Sequence, residues 1–470
     1  MTTPLFSDDQ FARLADQVRR TLREIGYHVG HPRLHEMALA AGCRESAQGR
    51  VLFADEQIDD LKQRLQEQYP PATTKPALIH PRHELRVALG NITPKLFNYA
   101  ANRVEGGTRE NLTWLLQFAH AAPCISGITL PLSRVDVPPA VEQLDSVLLM
   151  ARLTDKRLGG VDTTYPEAIP FLYEAGAILG HDPVAFLGVC NCVNPPLRLE
   201  HRTCETMLRR AQYHAMSMIT PMPCLGGSGP VDTWSAIVLG AAETVGGLIL
   251  SMILDPEAPL KGWIASTAMD MRACHITSSS PQTVQVDAGI VQLMDRHFGG
   301  GAFVGGRTYV SAKRPGLQAV FEKLLKGIGY AQFVDDHALS YPGHGTLDNG
   351  SVHCPEQFLL DFEILEGFEH LWQIPVATDG DDVVERLRRG ILDQGGNFLA
   401  DDHTLTHYRD EAWDPRYFQR AIDTKTEQQM LDQAHAQVEG YVAAYEPASH
   451  PPEVLRALEE LLARAREELL

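Results

Sequence analysis

The stretch GGSGPVDTWSAIVLGAAETVGGLIL, residues 226–250, joins a glycine-rich turn directly to a long apolar segment. Asp232 stands where a helix N-cap is expected, just before apolar residues at helical spacing. Glycine permits a tight strand-to-helix turn and a close approach of the backbone to its neighbours. The stretch therefore predicts a turn from a strand into a buried helix, as in an α/β protein.

Short apolar runs punctuated by glycine recur from about residue 75 onward and alternate with helical patterns. The runs are VALGN (87–91), PCISGIT (123–129), RLGGVDT (157–163), AFLGVCNC (185–192), MITPMPCLGG (218–227), KGWIAST (261–267), GGAFVGG (300–306) and AQFVDDH (331–337). The helical patterns between them cover residues 141–155, 201–216, 232–254, 281–298 and 317–328. This repetition predicts a TIM (β/α)8 barrel over residues 75–354, with a doubly wound open sheet as the alternative.

Helical patterns flank this predicted core on both sides. Ser7 precedes an acidic first turn, and apolar residues from Phe11 to Leu22 repeat at helical spacing. We therefore expect an N-terminal helical module over residues 1–74. Residues 355–470 read as a helical region packed on the barrel. Its last helix is amphipathic, which suits solvent or the contact of a homo-oligomer.

Composition and charge exclude some classes of partner. The chain has 470 residues, with 44% hydrophobic and 21% charged, as in soluble globular enzymes. Its 41 Lys and Arg against 60 Asp and Glu give a net charge of −19, which disfavours nucleic acid and anionic membranes as partners. We see neither a membrane-spanning run nor a signal peptide, and the eight cysteines are scattered. We therefore expect a cytoplasmic protein.

Several kinds of chemistry can be weighed on the motifs alone. The turn at residues 226–229 lacks the lysine of a P-loop and does not match G-x-G-x-x-G, so a tight turn is favoured over a nucleotide site. Cys190, Cys192 and His201 could ligate zinc, but no C-x-x-C spacing supports this, and we predict no metal site. The sequence lacks the G-x-S-x-G motif of a serine hydrolase, so that class is not favoured. A glycosidase with paired carboxylates stays open as a weaker alternative.

Six stretches, in the same order along nearly the whole chain, resemble the trimethylamine methyltransferase family of corrinoid-dependent enzymes. These stretches are LREIGYHVGHPRLHEMALAAGC (22–43), GGSGPVDTWSAIVLGAAETVGGLIL (226–250), AMDMRACHITSSSPQTV (268–284), SAKRPGLQAVFEKLLKGIGY (311–330), DNGSVHCPEQFLLDFEI (348–364) and DDHTLTHYRDEAWDP (401–415). The resemblance implies a TIM barrel whose mouth receives a corrinoid protein. The Co(I) of that partner's cobalamin would take a methyl group from a bound amine.

One departure from the family bears on the substrate. Its trimethylamine enzymes carry pyrrolysine, whereas every residue here is standard, and we expect the counterpart position between Gly306 and Lys313. The chain thus resembles pyrrolysine-lacking members such as glycine betaine methyltransferases. That resemblance implies methyl transfer from a quaternary amine, glycine betaine or a related betaine. The alternatives are proline betaine, carnitine or a tertiary amine as donor, or a non-catalytic betaine-binding protein.

Candidate site residues follow from the chemistry of a betaine. Aromatic faces bind a quaternary ammonium, and acids add to its stabilisation. The candidates for these roles are Tyr99, Trp234, Tyr309, Phe333, Tyr341, Asp270 and Asp348. A carboxylate needs donors instead, for which the candidates are Asn191, Asn194, Arg307 and His344. His344, which lies between two glycines, is the predicted catalytic residue, and Gly226, Gly227 and Gly229 would form a thin loop beneath the corrinoid.

Overall fold

The computed structural model describes residues 2–70, 87–188, 190–334, 343–372, 382–399, 401–419, 424–448 and 450–470. Its α-helices are Asp8–Glu24, Pro32–Ala40, Asp55–Gln68, Arg109–Ala121, Pro139–Leu153, Ile169–Ile178, Pro183–Phe186, His201–Ala211, Thr233–Leu254, Pro281–Leu293, Leu317–Val334, Pro355–Trp372, Val383–Arg388, Asp402–Glu411, Glu427–Ala443 and Pro452–Leu469. Its strands are His28–Val29, Arg44–Glu45, Val51–Leu52, Val87–Leu89, Lys95–Asn98, Arg103–Gly106, Ile125–Ile128, Arg157–Leu158, Val161–Asp162, Leu187–Gly188, Asn191–Cys192, Arg198–Leu199, Ser217–Thr220, Cys224–Leu225, Leu260–Ile264, Thr267–Asp270, His275–Thr277, Ala302–Val304, Thr346–Leu347 and Val352–His353. The protein is thus of the α/β class, as predicted.

Parallel strands form the centre of the fold, and their neighbours follow the order of the chain. Val87–Leu89, Ile125–Ile128 and Arg157–Leu158 pair in parallel, and Val161–Asp162 pairs with Leu187–Gly188. A third sheet pairs four strands in parallel, in the order Asn191–Cys192, Ser217–Thr220, Leu260–Ile264 and Ala302–Val304, and the three sheets together are called the parallel array. The helices predicted between these strands are observed, and two further helices, Arg109–Ala121 and Ile169–Ile178, lie between strands where none was predicted.

The last predicted strand differs from the structure. Residues 331–334 of AQFVDDH form the end of helix Leu317–Val334, and residues 335–337 lie outside the described residues. The apolar spacing of the helix continues through Phe333, so the periodicity of the helix extends into the run assigned to a strand. In the described ranges no pairing joins Val87–Leu89 to Ala302–Val304. Closure of a barrel therefore stays a prediction.

Helix Thr233–Leu254 lies against the middle of the parallel array. Asp232 caps its N-terminus, since the carboxylate accepts a 2.9 Å hydrogen bond from the backbone N–H of Ser235. A Cβ atom at Gly247 would lie 2.7 Å from the side chain of Ile219, and one at Gly246 would lie 2.7 Å from the ring of Tyr27. These glycines therefore allow the helix to touch both the strand beneath it and the N-terminal segment.

The helix is also strongly apolar along its whole length. It is long and apolar enough to cross a membrane by length and composition, but most of it is buried inside the protein. Its neighbours include Asp8–Glu24, Asp55–Gln68 and Pro281–Leu293. A membrane span and a core helix share the same composition, and the burial identifies this one as a core helix.

The terminal helices pack on opposite parts of the array. Ser7 caps helix Asp8–Glu24 as predicted, and Gln10 completes a capping box. The apolar face from Phe11 to Leu22 is buried against Thr233–Leu254. At the other end of the chain, Pro452–Leu469 packs on Pro139–Leu153. The buried leucines of that last helix, Leu458, Leu461 and Leu462, join the core around the early strands. Intrachain packing therefore covers its apolar face.

We predict a pH-dependent stability that originates at Glu243 in the buried helix. Its carboxylate accepts a 2.9 Å hydrogen bond from the backbone N–H of Leu197, and its other oxygen has no partner among the described residues. Burial raises the pKa of Glu243 to about 8, against about 4.3 in an unfolded chain. The folded state therefore holds the proton through this window, and the free energy of unfolding falls as the pH rises from about 4 to 8.

Glu243→Gln should remove this dependence and raise the free energy of unfolding near pH 8 by a few kcal/mol, at about 1.4 kcal/mol per pKa unit. Urea unfolding at pH 5 and pH 8 measures the change. The exposed Glu36 supplies the control substitution Glu36→Gln. Parallel pH curves for the Glu243→Gln and wild-type proteins would contradict the prediction.

Candidate active site

The inner face of the parallel array is defined by the alternation of buried and half-buried residues. In Leu260–Ile264, Leu260 and Ile264 belong to the apolar core, whereas Lys261 and Trp263 point to the other face and keep partial exposure. Phe303 pairs in register with Trp263 and shares that face. Lys261, Trp263 and Phe303 are all half-buried and share one face of the sheet, which we take as the candidate ligand-binding face.

Strand register assigns further residues to the same face. They are Asp162, Cys190, Cys192, Met218 and Thr220, because their strand neighbours point into the core or pair with core residues. Burial raises the pKa of Cys190 well above its ordinary value and that of Cys192 to about 11. Both thiols are therefore protonated near neutral pH, a state unsuited to metal ligation or nucleophilic attack. In the described part of the chain, no His, Cys, Asp and Glu side chains form a group of three placed to hold a metal ion.

Lys261 places an ammonium group on two aromatic rings of the inner face. Its Nζ lies 4.3 Å from the ring centroid of Trp263 and 5.0 Å from that of Phe303. Burial lowers the pKa of Lys261. Among the residues that the structure describes, no carboxylate pairs with this ammonium. The ring pair therefore already acts as a surface that binds a cation.

Tyr309 and Asn91 close the inner face at the carboxyl ends of the strands. The Tyr309 hydroxyl donates a 2.9 Å hydrogen bond to Oδ1 of Asn91, which follows strand Val87–Leu89. Burial raises the pKa of Tyr309, and the nearby Cys190 thiol adds to the effect. The contact joins the loop after Ala302–Val304 to the first strand of the array. Because its pKa is raised, Tyr309 presents an aromatic ring with an uncharged hydroxyl.

A buried lysine fixes the loop that carries Tyr309. Lys326 Nζ, on helix Leu317–Val334, donates 2.9 Å hydrogen bonds to the carbonyl oxygens of Ser278 and Tyr309 and a further one to that of Gly306. Burial lowers the pKa of Lys326 to about 8, and the charge of Asp287 opposes this shift. Three carbonyls therefore share one ammonium, which sets the path of the loop from residue 306 to 309.

Arg307 lies within this loop, beside Lys326. Its Nε donates a 3.3 Å hydrogen bond to the carbonyl oxygen of Val304, and its guanidinium lies 5.7 Å from the ring centroid of Tyr330. The Tyr330 hydroxyl in turn donates to the buried Asp287 at 2.7 Å. Of the predicted residues, Arg307 and Tyr309 are thus brought together.

Two predicted residues line a groove of about 1160 Å³ at the rim. Tyr99 donates a 2.7 Å hydrogen bond to Asp432, and its ring centroid lies 4.7 Å from that of His435. Asp270 is exposed and accepts a 2.9 Å hydrogen bond from the backbone N–H of Arg272. The acidic and basic side chains of this groove make it a polar surface, and none of its described lining residues belongs to the face of Lys261 and Trp263.

The short segment from Gly343 to Gly350 holds two more predicted residues. His344 is buried, with its ring centroid 6.4 Å from that of Phe358. Asp348 lies at φ 46°, and its carboxylate lies 3.8 Å from Nε2 of His275. Tyr341 lies outside the described residues. The roles predicted for His344 and Asp348 stay predictions.

Four other predicted residues do not join the inner face. Asn191 lies on the outward side of its strand, because its register partner is the core residue Ile219. Its side chain donates a 3.3 Å hydrogen bond to Ser217. Trp234 donates a 2.6 Å hydrogen bond to Gln17 of the first helix. Asn194 is exposed. Phe333 packs against the core around helix Thr233–Leu254.

The glycine-rich turn uses its own N–H groups. The N–H of Gly226, at φ 76°, donates to the carbonyl oxygen of Gly229 at 3.0 Å. The N–H groups of Gly227 and Gly229 both donate to the carbonyl oxygen of Cys224 at 2.9 Å. Donors engaged in this way are not presented to an anion, so the geometry favours the tight turn over a phosphate cradle. A role of these glycines beneath a corrinoid stays a prediction.

Trp263, Phe303 and Lys261 did not figure among the sequence candidates. The runs KGWIAST and GGAFVGG were identified as strands, and the period-two alternation within them separates Lys261 and Trp263 from the core residues. Applying that alternation to each strand identifies the inner face. Lys326 carries no such signal, since it lies within an ordinary helical pattern.

Comparisons with known proteins agree with the resemblance found in the sequence. A family model described as trimethylamine methyltransferase matches residues 1–469. A trimethylamine methyltransferase of Desulfitobacterium hafniense is 23% identical over 309 residues, which cover 65% of this chain and 61% of that protein. One of Methanosarcina mazei is 28% identical over 214 residues, which cover 44% and 41%. The match thus spans less than two thirds of the length of either relative.

Two further similarities concern other methyl donors. A glycine betaine methyltransferase of Desulfitobacterium hafniense is 25% identical over 346 residues, which cover 71% of this chain and 70% of that protein. The crystal structure of the monomethylamine methyltransferase of Methanosarcina barkeri is similar with a TM-score of 0.44, at 12% identity over 92% of each chain.

Lys326→Met should destabilise the protein strongly. The substitution leaves the carbonyls of Ser278, Gly306 and Tyr309 without their shared donor and the buried Asp287 without a nearby cation. We expect a loss of about 3–5 kcal/mol in the free energy of unfolding, measured by urea titration. The exposed Lys313 provides the control Lys313→Met, which should change stability by less than about 0.5 kcal/mol. Equal stability of the two variants would contradict the role of Lys326.

Proposed function

The chain belongs to the trimethylamine methyltransferase family, and within it we propose that this protein moves a methyl group from a quaternary amine to the Co(I) of a corrinoid protein. The proposed donor is glycine betaine or a related betaine, and the product is the demethylated tertiary amine. The corrinoid protein is a second substrate, whose cobalt supplies the nucleophile. The protein would act in the cytoplasm.

The fold proposed for this activity is a closed TIM barrel over residues 75–354, between helical regions at residues 1–74 and 355–470. The chain-order pairing of the parallel strands supports it, since a doubly wound sheet reverses its order at a switch point. Gly343 lies against Thr308 and Asn91, which follow the last and first strands of the described array. In a barrel the site lies at the carboxyl ends of the strands, where Asn91 and Tyr309 meet.

The ammonium of Lys261 on the rings of Trp263 and Phe303 is the observation that carries the proposal. The rings already bind one positively charged group, which supports their use for the quaternary nitrogen of a donor whose own carboxylate offsets the charge of Lys261. Cation–π contacts of this kind contribute about 0.5–2 kcal/mol each. The ring of Tyr309 adds a third aromatic surface at the carboxyl end of the array. These rings would hold the donor without a covalent bond.

The reaction asks little acid–base chemistry of the protein. The C–N bond breaks with its electron pair left on nitrogen, so a quaternary ammonium departs as a neutral amine and needs no proton. The methyl carbon forms its new bond with the cobalt of the partner. The protein therefore has to exclude water and hold one N–CH3 bond in line with the acceptor. Protonated thiols and an uncharged Tyr309 hydroxyl suit such a site, because they do not compete as nucleophiles.

The corrinoid partner would approach from the carboxyl ends of the strands. The surface proposed for this contact is the groove of about 1160 Å³, which is lined in part by Tyr99, Asp270 and His275. Polar and charged side chains of both signs line it, as is usual at the rim of a transient protein interface. We propose this rim as the contact surface of the partner.

A methyl-transfer assay tests the proposed function. The purified protein is mixed with reduced cobalamin and a panel of glycine betaine, proline betaine, carnitine, choline, tetramethylammonium and trimethylamine. We expect the Co(I) absorption to fall and methyl-cobalamin to form with a betaine, and only when the protein is present. Donor binding by calorimetry without methyl transfer would favour the non-catalytic betaine-binding alternative. Transfer from trimethylamine alone would overturn the proposed donor class.

Trp263→Leu should lower kcat/KM for the preferred donor about 2- to 30-fold, as expected for the loss of one strong cation–π contact. Trp114→Leu is the matched control, since Trp114 packs against the core around the early strands and does not lie on the inner face. Thermal unfolding of both variants separates lost binding from lost folding. An unchanged kcat/KM in Trp263→Leu would remove this ring from the donor site.

A further inference from the structure

We propose that Lys261 binds the carboxylate of the methyl donor and so makes the site selective for betaines over quaternary amines without a carboxylate. This inference rests on the proposed function for the ammonium end of the donor. Lys261 was not among the hydrogen-bond donors that the sequence suggested for this carboxylate, which are Asn191, Asn194, Arg307 and His344. It assigns substrate selectivity to a residue of the inner face.

The position of Lys261 is unusual for a lysine. It is the second residue of Leu260–Ile264, a central strand whose alternate residues lie in the apolar core. Lysine is seldom placed in such a strand without a partner, because a charge removed from water is costly. Yet no described carboxylate or carbonyl oxygen contacts its ammonium. Its remaining N–H groups are thus available to an anion that enters from outside.

The neighbouring inner-face groups do not neutralise this charge. The Cys190 thiol, which lies close enough to influence Lys261, stays protonated because its own pKa is raised by burial. Asp162, the inner-face acid, forms no ion pair with Lys261. Burial raises the pKa of Asp162, while Arg210 and the Cys190 thiol partly offset that effect. A carboxylate of the donor would therefore meet an ammonium without a counter-ion.

Two other lysines near the site have their ammonium groups engaged by polar partners. Lys326 donates to three carbonyl oxygens, and Lys323 is paired with the buried Asp361. Arg307 donates from Nε to the carbonyl oxygen of Val304 and lies on the ring of Tyr330. Lys261 differs because its described contacts are with the two rings alone. The flexible four-carbon stem of lysine allows Nζ to follow a bound carboxylate.

The charge pattern explains why a betaine is favoured over a simple quaternary cation. A cation without a carboxylate would meet the ammonium of Lys261 on the same rings, and like charges repel at this range. A betaine brings its own carboxylate, which pairs with Nζ while its quaternary nitrogen takes a place on Trp263, Phe303 or Tyr309. Anchoring the carboxylate near Lys261 leaves the methyl groups directed toward Tyr309 and Asn91 at the carboxyl ends of the strands.

The test compares donors that differ in the carboxylate. Lys261→Met keeps most of the length of the side chain and removes the charge, and Lys261→Arg keeps the charge. We expect Lys261→Met to lower kcat/KM for glycine betaine about 10- to 100-fold, as for loss of a charge-assisted hydrogen bond. The value for tetramethylammonium should stay unchanged or rise. Lys261→Arg should recover much of the activity with glycine betaine, and thermal unfolding verifies that each variant is folded.

Two results would overturn the inference. Equal losses for glycine betaine and tetramethylammonium in Lys261→Met would show that Lys261 does not recognise the carboxylate. A carboxylate-dependent loss in Arg307→Met or His344→Ala, with none in Lys261→Met, would assign that role elsewhere. Failure of the proposed function gives a different result, because the wild-type protein would then transfer a methyl group to cobalamin from none of the donors tested. In that case calorimetry with the same two ligands decides carboxylate recognition by Lys261 independently.

Discussion

The contact between helix Thr233–Leu254 and the strand beneath it is the constraint on which the rest of the structure depends. Gly247 lets the helix touch Ile219, and Gly246 lets the ring of Tyr27 reach the same helix. A side chain at Gly247 would force the helix away from the strand Ser217–Thr220, and one at Gly246 would meet the ring of Tyr27. That strand pairs with Leu260–Ile264, which in turn pairs with Ala302–Val304. A shift on the outer face would therefore reach Lys261, Trp263 and Phe303 on the inner face.

The candidate site combines this rigid array with one loop held from the opposite side. The strands fix the rings of Trp263 and Phe303 through parallel register. The loop with Tyr309 is fixed through the ammonium of Lys326, which is shared among three carbonyls. Burial serves different purposes in the two parts. It keeps the inner-face thiols protonated. It also removes the ammonium of Lys326 from water, so that backbone carbonyl oxygens are its hydrogen-bond partners. A methyl donor held by such parts needs positioning more than activation.

The sequence predicted the α/β class, the main helices and the strands from residue 87 to 304, because their periodicities are set by local residues. The run at 331–334 failed, since the apolar spacing of helix Leu317–Val334 continues into it. Family resemblance carried the methyltransferase assignment, which composition alone could not supply. Site residues were the hardest to predict. Trp234 resembles a candidate for an aromatic cage in the sequence, but only the packing shows its bond to Gln17.

The alternation along the strands also bears on how this protein could change over evolutionary time. Leu260 and Ile264 belong to the apolar core, whereas Lys261 and Trp263 between them lie outside it, on the inner face. Substitutions at the inward positions can therefore accumulate without weakening the scaffold, so that the range of accepted molecules drifts while the architecture is inherited unchanged. A lineage built on this array can diversify its chemistry through a handful of codons.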